Sequence, residues 1–160
     1  MASYVPVGDR SVTPYLRVRG AAKAIEFYKK AFGAQEVMTM PGPGGQLMHA
    51  EIKIGDSKLM LSDEFPQWGC LSPETLKGTT VTIHLFVPDV DATLKQAEAA
   101  GGKVVVQAAD MFWGDRMGKL DDPFGHSWSI ATHKKDMTVE QIQAALKTMG
   151  NPDCPDAAQM

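Results

Sequence analysis

Two stretches of the chain, TPYLRVRGAAKAIEFYKKAFGA at residues 13–34 and TIHLFVPDVDATLKQAEAAGGK at residues 82–103, follow one pattern. Each begins with a short run that alternates apolar and polar residues, which is typical of a strand. Each then turns into a helical pattern that ends in glycine, a residue favoured at helix C-termini. Val18 and Val87 hold equivalent places in the two stretches. We infer an internal duplication.

Further strand patterns follow each helix, so that each half is predicted to run β-α-β-β-β. They are QEVMTM, LMHAEIKI and KLMLS in the first half, and KVVVQA, DRMGKL and HSWSIA in the second. The predicted fold class is therefore α+β. We expect one domain over residues 11–135, made of a repeat at 11–63 and a repeat at 79–135, with a linker between them.

A C-terminal helix is predicted over residues 136–150, followed by a flexible tail at 151–160. Thr138 and Gln141 have the spacing of a capping box at the start of this helix. Its apolar stripe needs a surface to cover it, either on its own domain or on a second chain; the main stripe residues are Val139, Ile142, Leu146 and Met149.

Composition excludes several classes of partner. The 160 residues carry 16 basic and 19 acidic side chains, a formal charge of −3 with the signs interspersed, so neither nucleic acid nor a membrane surface is an expected partner. No apolar run approaches the roughly 20 residues that a membrane helix needs. Two distant cysteines form no disulfide framework, and the start of the chain lacks the order of a signal peptide. We therefore expect a cytoplasmic protein.

Four motifs add a family resemblance to this pattern: AIEFYKKAFGA at 24–34, MHAEIKIGDSKLMLSDE at 48–64, FWGDR at 112–116 and DPFGHSWSIATH at 122–133. With the duplicated unit, they resemble the vicinal oxygen chelate superfamily, and its PhnB-like branch most of all. That superfamily includes glyoxalase I, bleomycin-binding resistance proteins, fosfomycin-modifying enzymes and extradiol dioxygenases. The resemblance covers residues 11–135 and implies paired units that curl their sheets around a cleft.

The resemblance also implies where a metal would be held in the metal-dependent relatives. Those positions are occupied here by Thr13, Met60, Thr82 and Ser129. None of these is an imidazole or a carboxylate, the donors that a divalent ion requires in number. We therefore expect no cofactor at the usual site, although a divalent metal remains possible elsewhere.

Such a shifted site would use His49, Glu51 and His84, which are also the candidate catalytic residues. Alternation places His49 and Glu51 on the face opposite the apolar side chains of their strand, and His84 on the same face as Thr82. If these faces meet, two imidazoles and a carboxylate suit either a metal or acid–base chemistry. The structural alternative is that His49 and Glu51 lie on a solvated face, with His84 in a polar pocket wall.

Ligand-binding candidates follow from the same alternation. Leu16, Val18, Leu85 and Val87 should face the helices, and the residues between them the cleft. The predicted ligand-binding set is Tyr15, Arg17, His84, Phe86, Trp113, Arg116 and Ser129. For the FWGDR loop, the alternatives are an aromatic wall with an anion donor, or buried aromatic rings beside an Asp115–Arg116 pair. The DPFGH segment is predicted to be a structural turn, with His126 in the turn or on the surface.

The leading hypothesis is a small-molecule-binding protein without the usual metal, which sequesters its ligand as the bleomycin-binding relatives do. The alternatives are an enzyme of lyase, transferase or dioxygenase type, and a scaffold whose cleft is filled by its own side chains. We expect a homodimer, with the repeats paired either within one chain or between two chains.

Overall fold

The computed structural model describes residues 4–6 and 9–148, and both predicted repeats are present in it. The first comprises β1 (Tyr15–Val18), α1 (Ala21–Phe32), β2 (Gln35–Pro41), β3 (Leu47–Ile54) and β4 (Ser57–Asp63). The second comprises β5 (Thr82–Phe86), α3 (Val90–Ala99), β6 (Lys103–Asp110), β7 (Asp115–Asp121) and β8 (Ser127–His133). A short helix α2 (Pro73–Leu76) lies in the linker, and α4 (Val139–Thr148) follows the second repeat.

Each repeat forms one four-stranded mixed sheet, and the two sheets share a topology. Their strand orders are β1-β4-β3-β2 and β5-β8-β7-β6. The first strand of each repeat pairs in parallel with the last, and the remaining pairs are antiparallel. Equal order and equal orientation confirm the α+β duplication predicted from the sequence.

The predicted alternation holds in the first strand of each repeat. Leu16 and Val18 are buried, whereas Tyr15 is 41% exposed. In β5 the side chains of Leu85 and Val87 pack on the core, and Phe86 is exposed. Helices α1 and α3 contact each other, so the two repeats share one hydrophobic core on the helix side of both sheets.

One buried carboxylate joins the repeats inside that core. Asp122 Oδ2 accepts hydrogen bonds from Tyr28 Oη at 2.7 Å and from Trp128 Nε1 at 3.0 Å. Its Oδ1 accepts from the backbone amides of Phe124 and His126, both at 2.9 Å. Burial and the neighbouring carboxylate raise the pKa of Tyr28 well above its usual value, which keeps the phenol protonated as a donor. The DPFGH segment is thus a turn built around its own aspartate.

The last strand of each repeat also caps that repeat's helix. Asp63 at the end of β4 accepts from the amides of Gly20 and Ala21 at 2.7 and 3.0 Å. Thr132, at the equivalent place on β8, accepts from the amide of Val90 at 2.8 Å. Helix N-termini leave amides without intrahelical partners, and these side chains satisfy them.

The apolar stripe of helix α4 was expected to be covered either by its own domain or by a second chain, and its own domain does not fully cover it. Val139 is 65% and Leu146 54% exposed, so these residues are not buried on their own domain. Ile142 is partly covered. Met149 and the predicted tail lie outside the described residues. Within residues 4–6 and 9–148, no helix has the length and apolar character that crossing a bilayer requires.

The Asp122 network predicts a large and specific loss of stability. Replacing Asp122 with Ala leaves two buried side-chain donors without an acceptor, each costing about 1–3 kcal/mol, so we expect a total of about 3–5 kcal/mol. Asp121→Ala is the matched control, because Asp121 is partly exposed and accepts from Ser127 Oγ; it should cost under about 1 kcal/mol. Urea unfolding measures both, and equal losses would contradict the assignment.

Candidate functional site

The face of the first sheet that points away from α1 carries a row of functional side chains. The strand register aligns Tyr15 with Met60, Met60 with Glu51, and Glu51 with Met38. The next row aligns Arg17 with Ser62. Directly paired residues share a face of a sheet, so these side chains form one surface, which we call the open face.

A hydrogen-bonded chain crosses the open face. Tyr15 Oη lies 2.8 Å from His49 Nδ1, and His49 Nε2 lies 3.4 Å from Glu51 Oε1. Glu51 Oε2 pairs with the Lys58 ammonium at 2.8 Å, and this ammonium lowers the pKa of Glu51. When the imidazole carries its proton on Nε2, Tyr15 donates to Nδ1 and Nε2 donates to the carboxylate, so both contacts are satisfied.

Arg17 lies beside this chain. Its guanidinium carbon is 4.1 Å from the centre of the Tyr15 ring, a cation–π contact. Its Nη1 donates to Ser62 Oγ, and Ser62 is fully buried. Among the described residues, no carboxylate forms an ion pair with Arg17.

The second sheet carries two more of the predicted ligand-binding residues, His84 and Ser129, in contact with each other. His84 Nδ1 lies 3.0 Å from Ser129 Oγ, and the His84 ring lies 4.6 Å from the Phe86 ring at a steep angle. Ser129 is buried beneath the histidine, so it orients the imidazole and presents little surface of its own. Thr82 and Phe86 are exposed on the same strand.

A groove of about 820 Å³ brings parts of both repeats together. It lies along β1, β5 and the linker, and contains Tyr15, Arg17, His84 and His126. The full lining is Pro14, Tyr15, Leu16, Arg17, Leu71, Pro73, Leu76, Gly78, Thr79, Thr80, Val81, Thr82, Ile83, His84 and His126. Two of the predicted ligand-binding residues on β1 and one on β5 therefore share a single groove.

His126 closes the junction between the repeats at this groove. Its Nε2 lies 3.1 Å from the backbone oxygen of Arg17, on the edge of β1 that does not pair with β4. Its amide donates to Asp122, so one residue contacts both the buried carboxylate and the groove. The sequence indicated a turn or surface residue; the contact joins the second repeat to the first strand of the chain, and no local pattern encodes so distant a pairing.

The linker wall of the groove is held by Glu64. Its carboxylate accepts from the Thr75 hydroxyl at 2.6 Å and from the Ser72 amide at 3.0 Å, and it pairs with Arg19. The Thr75 hydroxyl, followed by Arg19 and Ser72, lowers the pKa of Glu64 to about 2. The sequence predicted only a linker for this segment. The signal was the Ser72-Pro73 start of α2, with a capping serine and a proline in the first turn.

Four of the predicted ligand-binding residues do not line this groove. Arg116 pairs with Asp91 of α3 at 2.7 Å and with Asp110 at 3.2 Å, so its guanidinium is occupied by carboxylates on the helix side of the sheet. Arg116 does not line the groove, and its role as an anion donor for a ligand stays a prediction. Trp113, Phe86 and Ser129 are also absent from the lining of the groove.

The FWGDR turn is organised by Asp115 instead. Asp115 accepts from Trp113 Nε1 at 3.0 Å and pairs with His133 at 2.7 Å, not with Arg116 as the structural alternative expected. Asp115 and Asp136 raise the pKa of His133. Gly114 is required here, because its φ is 101° and a Cβ would lie 2.2 Å from the Lys135 carbonyl oxygen.

The candidate metal ligands do not converge. His84 bonds to Ser129 in one sheet, while His49 and Glu51 are engaged with Tyr15 and Lys58 in the other. In the part of the chain that the structure describes, no group of three or more His, Cys, Asp and Glu side chains is arranged to hold an ion. The four positions implied by the resemblance supply three hydroxyls and one thioether, a donor set that does not fit a divalent metal.

Residues 10–130 match the family model described as the Glyoxalase/Bleomycin resistance protein/Dioxygenase superfamily. The chain belongs to this superfamily. The uncharacterized protein Mb0911c of Mycobacterium bovis is 44% identical over 146 residues, which cover 89% of this chain and 96% of that protein.

Two solved structures share the fold. The structure of At5g48480 from Arabidopsis thaliana is 27% identical, with a TM-score of 0.63, and the match covers 76% of this chain and 98% of that one. A PhnB protein from Bacillus cereus is 18% identical, with a TM-score of 0.58 over 77% of this chain and 99% of that one. The second likeness, at 18% identity, is evidence of the fold alone.

Glu64 predicts part of the acid sensitivity of the protein. Its folded pKa of about 2 lies below the ordinary value of 4.5, so its contribution is complete above about pH 4.5 and is lost as the pH falls towards 2. Glu64→Gln should lower stability at pH 7 by roughly 1–2 kcal/mol and flatten the decline below pH 4.5. Glu74→Gln, an exposed neighbour, is the control. Thermal melts from pH 7 to pH 2 that decline in parallel for all three proteins would contradict this role.

The donor set predicts that purified protein carries far less than one divalent ion per chain at Thr13, Met60, Thr82 and Ser129. Hydroxyls and a thioether compete poorly with buffer and water for such ions. Elemental analysis after dialysis against metal-free buffer measures the content. Close to one Ni, Zn, Mn or Fe per chain would contradict the expectation and direct attention to His49, Glu51 and His84.

Proposed function

We propose that this protein binds a small molecule in the groove between β1, β5 and the linker, without the metal of its metal-dependent relatives. The observation that carries the proposal is the groove itself, where Tyr15, Arg17 and His84 from two repeats meet an apolar linker wall. Its volume of about 820 Å³ suits a small ligand, and a mostly apolar lining with a few polar groups is the usual make-up of such sites. The simplest function for such a site is to sequester its ligand.

A second function is favoured by the Tyr15–His49–Glu51 chain. Tyr15 Oη would act as the base and accept a proton from a ligand. At the same time its phenolic proton would pass to His49 Nδ1, and the proton on His49 Nε2 would pass to Glu51. This arrangement would support metal-free acid–base chemistry, and it does not require His84. The variant Tyr15→Phe distinguishes the two functions. A catalyst would lose turnover and keep its affinity for the ligand, whereas a binding protein would show no turnover as the unmodified protein or as the variant.

We also propose that the protein is a homodimer in the cytoplasm, with neither nucleic acid nor membrane as a partner. Large apolar side chains are exposed on several elements of a single chain, and monomers rarely expose extensive apolar surface. They include Met38, Met40 and Phe86 on the sheets, and Val139 and Leu146 on α4. A second copy of the chain is the partner that we propose covers these side chains.

The dimer has a direct measurement. Light scattering at micromolar concentration should give twice the 17.3 kDa of one chain. The double variant Val139→Glu/Leu146→Glu tests the contribution of α4, because charges on an interface surface oppose association. Lys95→Glu, a single charge reversal on α3, is the control and should leave the mass unchanged. A monomer mass for the unmodified chain would contradict the dimer.

Adjacent residues on β5 test the binding site. His84→Ala should weaken ligands bound in the groove about fivefold, by loss of one hydrogen bond, with little effect on the melting temperature. Leu85→Ala should leave affinity unchanged and cost about 2 kcal/mol of stability, the low end for a core leucine, because Leu85 is only partly buried. Ligand-observed NMR with an aromatic fragment library, paired with thermal melts, measures both. The reverse pattern would show that the strand faces are assigned wrongly.

A further inference from the structure

The groove is electrostatically one-sided. Its lining contains one guanidinium and two imidazoles, those of Arg17, His84 and His126, and the lining residues include no aspartate or glutamate. This stands against a whole chain whose formal charge is −3. An average patch of a surface with this net charge would repel an anion. The groove differs from such a patch because its lining has no carboxylate.

Arg17 is the charge on which this asymmetry depends. Arg19 and Arg116 each pair with carboxylates, whereas Arg17 contacts the Tyr15 ring and Ser62 Oγ. A guanidinium carries five donors in a rigid fork, and the contacts found in the described residues use few of them. Its other groups therefore remain able to bind a ligand.

The guanidinium is also held in place before any ligand arrives. It stacks on Tyr15, whose hydroxyl is fixed by His49, and it bonds to Ser62, whose hydroxyl in turn donates to the Asp63 carbonyl at 2.7 Å. A preorganised side chain loses less conformational entropy on binding. Fixed planar donors match the two oxygens of a carboxylate.

The groove also has apolar side chains in its lining. Leu71, Leu76 and Val81 line it, and Leu76 and Val81 are 62% and 66% exposed in the single chain. The Glu64 network holds Leu76 in place by anchoring α2 through Thr75. Apolar side chains and a single guanidinium in one groove favour a ligand with an apolar body and a single anionic group.

We infer that the groove selects small amphipathic anions, of the class of an aromatic or aliphatic carboxylate. The carboxylate pairs with Arg17, and the apolar body lies against Leu71, Leu76 and Val81. This inference rests on the proposed binding function and adds the chemical class of the ligand. Cationic and neutral molecules of the same shape are bound more weakly.

The test compares two probes of nearly equal shape, 1-naphthoate and 1-naphthamide, on the full-length protein. Affinities are measured by calorimetry, and the position of each probe by NMR shifts of the backbone amides of residues 79–84. The unmodified protein should bind the carboxylate about ten- to a hundredfold more tightly. Raising NaCl from 50 to 500 mM should weaken the binding of the carboxylate probe and leave the affinity for the amide probe unchanged.

Variants assign the preference to Arg17. Arg17→Gln should remove the preference for 1-naphthoate over 1-naphthamide. Arg17→Lys should retain part of this preference, because the positive charge remains without the planar donors of the guanidinium. Arg10→Gln, which lies outside the groove, should retain all of it. Thermal melts accompany each variant. If Arg17→Gln fails to fold, Arg17→Lys and the salt dependence of the unmodified protein still decide the question.

Three results would overturn the inference in distinguishable ways. Equal affinity for both probes, with groove amides shifted, would refute anion selection and leave the binding function standing. Preference that survives Arg17→Gln would refute the role of Arg17. Failure of both probes to shift the groove amides would refute the proposed binding function and, with it, this inference.

Discussion

The buried carboxylate of Asp122 is the contact on which the arrangement of the two repeats depends. It lies in the turn before β8 and accepts hydrogen bonds from Tyr28 in the first repeat and Trp128 in the second. Burying a charge is costly unless donors surround it, and here four donors do so. The relative position of the sheets is therefore specified by directional bonds as well as by the apolar contact of α1 with α3.

That position determines the groove. The same turn that holds Asp122 presents His126 to the free edge of β1, through the Arg17 carbonyl. Arg17, Tyr15 and His84 consequently line one space although they belong to different sheets. The Glu64 network sets the third wall by fixing the linker helix. The groove and the stability of the fold thus depend on neighbouring residues, and the groove lies at the junction of the duplicated units.

The chain keeps the fold of its superfamily, but the side chains at the expected metal-binding positions are of other chemical types. Hydroxyl and thioether groups stand where metal-dependent relatives are expected to place ligands, and the imidazole of His49 is committed to Tyr15 and Glu51. The open face therefore offers hydrogen bonds, a proton chain and one arginine without a carboxylate partner among the described residues. These features suit recognition of a polar or charged small molecule, with the proton chain available for acid–base chemistry.

The sequence by itself determined the α+β class, the duplication and the faces of β1 and β5, because strand and helix periodicities are local and occur in the same order in both halves of the chain. It also placed Tyr15, Arg17 and His84 on the face where they lie. Only the tertiary structure decided that Arg116 pairs with Asp91, that His84 lies apart from Glu51, and that His126 and the linker complete the groove. Each of these depends on which distant side chain lies within hydrogen-bonding reach, and that distance follows from how the two sheets are oriented around Asp122, not from the spacing of residues along the chain.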